Sequence, residues 1–415
     1  MLAQATNDRL YATERAVELK SSIQDYLDVE PEIETGFKQV KRTQINKMVI
    51  LEYFGGSEDD WDKWSWQMKN RISNADILND ILPLNEIEFQ DLRNLSKQFR
   101  WAISPYYLSL IDFENYRQST IFKQSVPDIR ELEEHNGKAD PMAECQTSPA
   151  ARITRRYPDR LIINVTNQCA MYCRHCQRRR NFGEQDKHAR IDQLKEAIFY
   201  IKSNKEIRDV LITGGDALML SDKVLDWLLG ELDSIEHVEI KRLGTRTLVT
   251  LPQRITPELC AILEKHGPLY MNTQFNHPME ITPEAKKACD MLVKAGVVLG
   301  NQAVLLKDIN DDPHIMKKLN QELLKIRIRP YYIFHAKEVK GTSHFITKIE
   351  TGINIMEKLR GYTSGLAVPT YIINAPGGYG KTPLLPEYLI SHAEDEITIR
   401  TWEHKVIKCS NKTYE

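Results

Sequence analysis

Leu161-Ile162-Ile163-Asn164-Val165-Thr166-Asn167-Gln168-Cys169-Ala170-Met171-Tyr172-Cys173-Arg174-His175-Cys176-Gln177-Arg178-Arg179-Arg180 decides how the rest of the chain is read. A short apolar run, the pattern of a buried strand, leads into a loop with three of the seven cysteines at C-x3-C-x2-C spacing. Three thiolates in one tight loop make a ready soft-metal site. Iron–sulfur cubanes usually take four cysteines, so a loop offering three leaves one iron open to a small molecule. The alternative is a structural zinc site with His175 as fourth ligand. The neighbouring Cys176 makes that geometry awkward, and no second C-x2-C pair lies elsewhere.

Outward from this loop, strand-like runs at 160–166, 208–213, 238–243, 269–275, 297–306 and 329–335 alternate with amphipathic helical segments. Ile191, Leu194, Ile198 and Ile201 are spaced to share one such helix face. Two helices open alike, with Thr256-Pro257-Glu258 and Thr282-Pro283-Glu284. Threonine caps, proline fits the first turn and the acid complements the helix dipole. Six strand–helix repeats predict an α/β fold whose parallel sheet curls into a partial barrel. Chemistry in such sheets gathers at the C-terminal strand ends, where the cysteine loop falls. The next strand ends in Gly214-Gly215-Asp216. Paired glycines let backbone approach a ligand closely, and the carboxylate can take an amine.

The flanks are less patterned. Residues 1 to about 50 read as an outer helix, with Ala12, Ala16, Leu19, Ile23 and Tyr26 recurring among charges. Trp61, Trp64 and Trp66 suggest a helix docked by packing onto something larger. The stretch from about 126 to 150 is polar and loop-like. Near the end, Ala375-Pro376-Gly377-Gly378-Tyr379-Gly380-Lys381-Thr382-Pro383 superficially matches a phosphate-binding loop. That loop must run into a helix, which Pro383 and Pro386 forbid. Lys381 then reads as an amine on a flexible glycine-rich loop, able to form a Schiff base with a carbonyl cofactor.

Composition bounds the rest. Lys plus Arg number 56 against 58 Asp plus Glu, a net charge of −2, so no global field favours nucleic acid or an anionic membrane. No apolar run reaches the roughly 18 residues of a membrane span, and the early charges Asp8, Arg9, Glu14 and Arg15 do not suit a signal peptide. An odd cysteine count without disulfide spacing argues for a reducing, cytoplasmic setting. Cys145, Cys260, Cys289 and Cys409 read as packed thiols.

Taken together, the chain resembles the lysine 2,3-aminomutase family of radical S-adenosylmethionine (SAM), pyridoxal-phosphate (PLP) enzymes. The resemblance spans about residues 60 to 390. It is carried by Ser104-Pro105-Tyr106-Tyr107-Leu108, Arg156-Tyr157-Pro158-Asp159-Arg160, the cysteine loop, Leu251-Pro252-Gln253-Arg254-Ile255-Thr256, Gly300-Asn301-Gln302 and Ala375-Pro376-Gly377-Gly378. It implies a mainly helical region over 1–150, a partial (β/α)6 radical SAM barrel over 151–340 and a PLP-binding segment over 341–415. Cys169, Cys173 and Cys176 would hold a [4Fe–4S] cluster. Gly214, Gly215, Asp216 and Gln302 would seat SAM. Lys381 would carry PLP, with Arg156, Tyr157 and Arg160 on its phosphate and ring. Arg178 would bind the substrate α-carboxylate, a task suited to a guanidinium fork.

The departures from the family pattern are informative. Lysine-acting members place two aspartates around the substrate's distal ammonium; here the matching positions are Lys337 and Asn374. A cation and an amide would repel or ignore an ammonium and accept a carboxylate, as in the family's glutamate-acting branch. The resemblance therefore implies an isomerase interconverting L-glutamate and β-glutamate: a SAM-derived radical takes hydrogen from C3, nitrogen moves from C2 to C3, and the hydrogen returns. The alternatives are lysine or another amino acid as substrate, a zinc-stabilised binding protein without catalysis, and a P-loop nucleotidase. A low-potential electron donor such as flavodoxin or ferredoxin is implied, as is a homo-oligomer. The tail offers only Cys409 where lysine-acting members place extra cysteines for an intersubunit zinc, so none is expected here. Gln274 stands where the family often has histidine near SAM.

Overall fold

A computed structural model describes residues 2–133 and 137–412. One nine-stranded sheet runs in chain order: β1 (Ile153–Thr154), β2 (Arg160–Thr166), β3 (Asp209–Gly214), β4 (Ile240–Gly244), β5 (Leu269–Thr273), β6 (Val297–Leu305), β7 (Arg329–His335), β8 (Thr370–Ala375) and β9 (Gly380–Pro383). Strands β2 to β8 are parallel, and only β1 and β9, at the two edges, pair antiparallel. Helices such as Ile191–Ser203 and Pro283–Lys294 fill the crossovers between parallel strands. They bury one apolar stripe each: Leu194, Ala197, Ile198 and Ile201 face the sheet, while Ile191 in the first turn stays exposed. Thr256 and Thr282 cap their helices as expected, accepting the amide protons of Leu259 and Ala285 ahead of a first-turn proline.

The sheet curls until its two edges meet. Tyr157, between β1 and β2, accepts the backbone N–H of Lys381 on β9 at 2.9 Å, although the strands lie at opposite ends of the sheet order. The half-barrel anticipated from six strands therefore gains a seventh parallel strand, β8. The 151–340 unit drawn from sequence stops short of it, and the sheet continues across residue 340 to Pro383.

The N-terminal helices pack against the barrel through buried polar contacts. Tyr106 Oη lies 2.6 Å from Thr282 Oγ1, and Tyr107 Oη donates to Glu280 at 2.7 Å. The tryptophan segment forms two short helices, Glu58–Trp61 and Trp64–Lys69, with Trp61 only 3% exposed. The first helix, Leu2–Ser21, leaves Leu10, Tyr11 and Val17 in solvent. After the barrel, β10 (Leu389–His392), β11 (Glu396–Arg400) and β12 (Val406–Ser410) form a separate antiparallel sheet. Of the four isolated cysteines only Cys289 is buried; Cys145 is exposed, against the expectation of a packed thiol. Among the described residues no helix is long and apolar enough to cross a membrane.

Candidate active site

A cavity of about 310 Å³ opens at the C-terminal strand ends, and all the site residues expected from sequence line it. They arrive from both sheet edges and from the ends of β3, β6, β7 and β8. The cysteine loop is held from behind. Arg71 Nη1 donates to the Cys169 carbonyl at 2.7 Å, and the Tyr172 and Arg174 amides donate to the carbonyls of Ala102 and Gln124. Arg174, 1% exposed, is forked onto Glu131 by Nε at 2.8 Å and Nη2 at 2.6 Å. Glu131 also takes Arg179, so one buried carboxylate anchors two arginines of the loop.

The paired glycines serve this loop first. A Cβ on Gly214 would fall 2.5 Å from the Thr166 carbonyl oxygen, and one on Gly215 would fall 2.5 Å from that of Gln168. Gly214 also sits at φ +132°, so only glycine lets the end of β3 lie against the cysteine loop. Asp216 has structural partners as well. Its carboxylate already accepts the Leu218 and Arg246 amides and the Thr245 hydroxyl, at 3.0, 2.7 and 2.6 Å. It caps the turn and ties β3 to β4, and with three of its roughly four acceptor sites taken it still lines the cavity. Burial pushes its pKa up against these donors.

The donor set suits an iron–sulfur cluster. All three loop thiols face the cavity, and two sulfurs receive N–H groups: Cys173 from Arg246 Nη1 at 2.9 Å and Cys176 from the Arg178 amide at 3.3 Å. Burial pushes the Cys176 thiol up to about 11, offset only in part by the Arg178 amide, and hydrogen bonds to sulfur are among the levers that tune a bound cluster. Among the described residues no three His, Cys, Asp or Glu side chains converge as one metal ion requires. His175 Nε2 lies 3.0 Å from the Gln274 amide, while its Nδ1 is buried without a hydrogen-bond partner.

Across the cavity stands Lys381, on strand β9 rather than the flexible loop expected, paired in the ladder with Asn374 of β8. Its Nζ lies 4.8 Å from the Tyr332 ring centre and 5.2 Å from that of Phe334. Burial, then Arg242, Arg160 and Arg156, push its pKa down to about 8, which brings the nucleophilic neutral amine within reach of working pH. Arg160 stacks on Tyr157 at 3.9 Å, and Arg156 lines the same wall. A depressed lysine beside arginines and aromatic rings fits a phosphorylated aldehyde such as PLP.

The substrate-facing residues come last. Burial and the cations Arg156, Lys381 and Arg178 push Lys337 down to about 7. Asn374 Nδ2 is buried without a hydrogen-bond acceptor. Arg178 rests on Glu144, a residue the sequence reading passed over in a stretch it took for loop. Glu144 is 6% exposed and also binds Arg156 and Arg180. Burial raises its pKa, but Arg178, Arg156 and Arg180 together bring it down to about 2. Glu131, Arg246 and Glu280 were missed likewise; no local spacing marks them, because their partners lie far away in the chain.

An open parallel barrel with a three-cysteine loop after its first parallel strand defines a radical SAM enzyme, and residues 163–319 match the Radical SAM superfamily. Residues 356–412 match the family described as Lysine-2,3-aminomutase. The chain is 57% identical over 399 residues to glutamate 2,3-aminomutase of Clostridioides difficile (strain 630), covering 96% of this chain and 94% of that protein. It is 48% identical to the L-lysine 2,3-aminomutase of Fusobacterium nucleatum, covering 84% and 82% of the two chains. It is 47% identical to that of Clostridium subterminale, covering 84% and 83%. The chain belongs to the lysine 2,3-aminomutase family. It is an aminomutase whose radical SAM domain takes SAM and a [4Fe–4S] cluster, and whose family depends on PLP.

Proposed function

We propose that this chain interconverts L-glutamate and β-glutamate (3-aminoglutarate). The observation that carries the reading is the distal end of the cavity, where the Lys337 ammonium and the unpartnered Nδ2 of Asn374 offer donors. The carboxylate within range of Lys337, Glu144, is already shared among three arginines. A substrate ending in an ammonium would meet repulsion, whereas a second carboxylate would satisfy both donors. The likeness to glutamate 2,3-aminomutase points the same way.

When bound, SAM on the reduced cluster supplies a carbon-centred radical, and PLP carries the migrating nitrogen. The chain's own residues hold and orient. Cys169, Cys173 and Cys176 would ligate the cluster, Gly214, Gly215, Asp216 and Gln302 would border SAM, and Arg156, Tyr157 and Arg160 would hold the PLP phosphate and ring beside Lys381. Arg178 takes the α-carboxylate, and Lys337 with Asn374 takes the side-chain carboxylate. Gripping both ends fixes C3, and such positioning supplies much of the catalytic advantage. Tyr332 and Phe334 wall the Lys381 amine with apolar rings. A low-potential carrier such as flavodoxin or ferredoxin delivers the electron, and the chain acts in the cytoplasm as a homo-oligomer.

Anaerobic incubation with PLP, SAM, a reductant and labelled glutamate or lysine tests the proposal. Labelled β-glutamate is the expected product; turnover of lysine alone overturns it.

A further inference from the structure

We propose that Glu144 is a positioning residue for this reaction, aiming the substrate arginine Arg178 and the phosphate arginine Arg156 from one strap that also supports the turn before Lys381. The inference rests on the roles given above to those two arginines. The strap, residues 140–147, has no pattern in the sequence, yet it touches three walls of the cavity. Gly377 donates its N–H to the Pro141 carbonyl at 3.2 Å, and Arg155 donates to Thr147 at 2.7 Å. A Cβ on Gly378 would meet the Met142 oxygen at 3.0 Å and Arg156 Cδ at 3.5 Å.

Ala143 sits at φ +48°, a left-handed conformation that a residue with a Cβ adopts at a cost. Such outliers persist where the surroundings over-determine them, and they cluster at functional sites. The next side chain, Glu144, is buried among the arginines. Oε1 accepts from Arg156 Nη2 at 2.9 Å and from Arg178 Nη2 and Nε at 3.1 and 3.2 Å. Oε2 accepts from Arg180 Nη2 at 2.8 Å and from Arg178 Nε at 3.4 Å. Arg180 turns its Nη1 to Asp140 at 3.2 Å.

Held through Nε and Nη2, Arg178 makes no bond through Nη1 among the described residues, and it lines the cavity. The free edge is therefore fixed in direction before any carboxylate arrives. Arg156 gives Glu144 only Nη2, and its remaining N–H groups stay available in the same way. With a pKa near 2, Glu144 stays ionised at any working pH, so its role is to hold rather than to exchange a proton.

The test compares wild type, Glu144→Gln and Glu144→Asp, each loaded with PLP. Glu144→Gln leaves the site more cationic, so lost aim and lost attraction separate: kcat falls about a hundredfold while KM for the amino acid does not rise. The circular dichroism of bound PLP shifts in Glu144→Gln, because ring orientation changes with Arg156, and Glu144→Asp falls between the two on both readouts. Wild-type kcat and dichroism in Glu144→Gln overturn the proposal. So does a KM that rises in proportion to the loss with dichroism unchanged. Should Glu144→Gln fail to fold, Glu144→Asp decides on the same readouts. If wild type turns over lysine instead, the substrate reading fails, yet the dichroism and the kcat–KM split still judge Glu144, because the α-carboxylate is common to both amino acids.

Discussion

Lys337 is the residue on which substrate choice and pH dependence meet. Burial and three neighbouring cations, only partly offset by Glu144, hold its pKa at about 7. Its positive charge is therefore lost as pH rises through that value, and with it the grip on a second carboxylate. Any anion placed in the cavity, including the cofactor phosphate, moves the midpoint upward. KM for glutamate should accordingly climb on the alkaline side from about 7 or above, and Lys337→Arg, which cannot deprotonate there, should flatten the climb. The double change Lys337→Asp with Asn374→Asp replaces donors by two anions. A charge-assisted hydrogen bond contributes about 1.5–3 kcal/mol, so glutamate turnover should fall about ten- to a hundredfold or more in steady-state assays. At this scale the sequence pointed to the cavity where a residue type alone suggests a chemistry, as for the cysteines, Lys381 and Lys337, all of which line it. It said nothing of the bonds Asp216 also makes, since the Thr245 hydroxyl and Arg246 amide that its carboxylate accepts come from the next strand's loop.

Among the elements, the parallel strands were legible because each alternates or runs apolar between capped helices. Four of the six expected segments overlap their strands to within about two residues at each end, and β2 and β7 coincide with theirs. The strand β8 and its return β9 were not separated from the glycine-rich turn, since Gly377, Gly378 and Gly380 mask the short strand that follows. The segment from 126 to 150 was read as plain loop because its short 3-10 turns have no hydrophobic period. Their worth lies in two buried acids, Glu131 and Glu144. Glu131 carries Arg174 and Arg179 at essentially no exposure, so Glu131→Gln leaves two buried guanidinium groups short of an anion. Breaking such a pair costs about 3–5 kcal/mol, which denaturant unfolding followed by circular dichroism should register as an earlier transition.

For the whole molecule, a nearly neutral chain concentrates cations in one place: Arg156, Arg160, Arg178, Lys337 and Lys381 all line the cavity. That distribution suits a phosphorylated cofactor and a dicarboxylate, and net charge alone gave no hint of it. The thiols and the lysine lie far apart in the chain and hang on separate supports, the Glu131–Arg174 anchor and the Tyr157–Lys381 contact. Loss of one cofactor should therefore spare the other. Cys169→Ala is expected to lose its iron, measured by metal analysis after anaerobic purification, while keeping the visible absorption of lysine-linked PLP. Lys381→Ala should show the reverse.

The ladder pairing of Asn374 with Lys381 bears on how far this scaffold can vary. In the proposed reading one hairpin would carry both the anchor for the migrating nitrogen, Lys381, and a contact for the far end of the substrate, Asn374, and their register is fixed. The arrangement works as a caliper whose jaws are side chains and whose frame does not slide. A longer or differently charged amino acid could be admitted only by exchanging what stands at 337 and 374, which makes these two positions a compact dial for retargeting the enzyme.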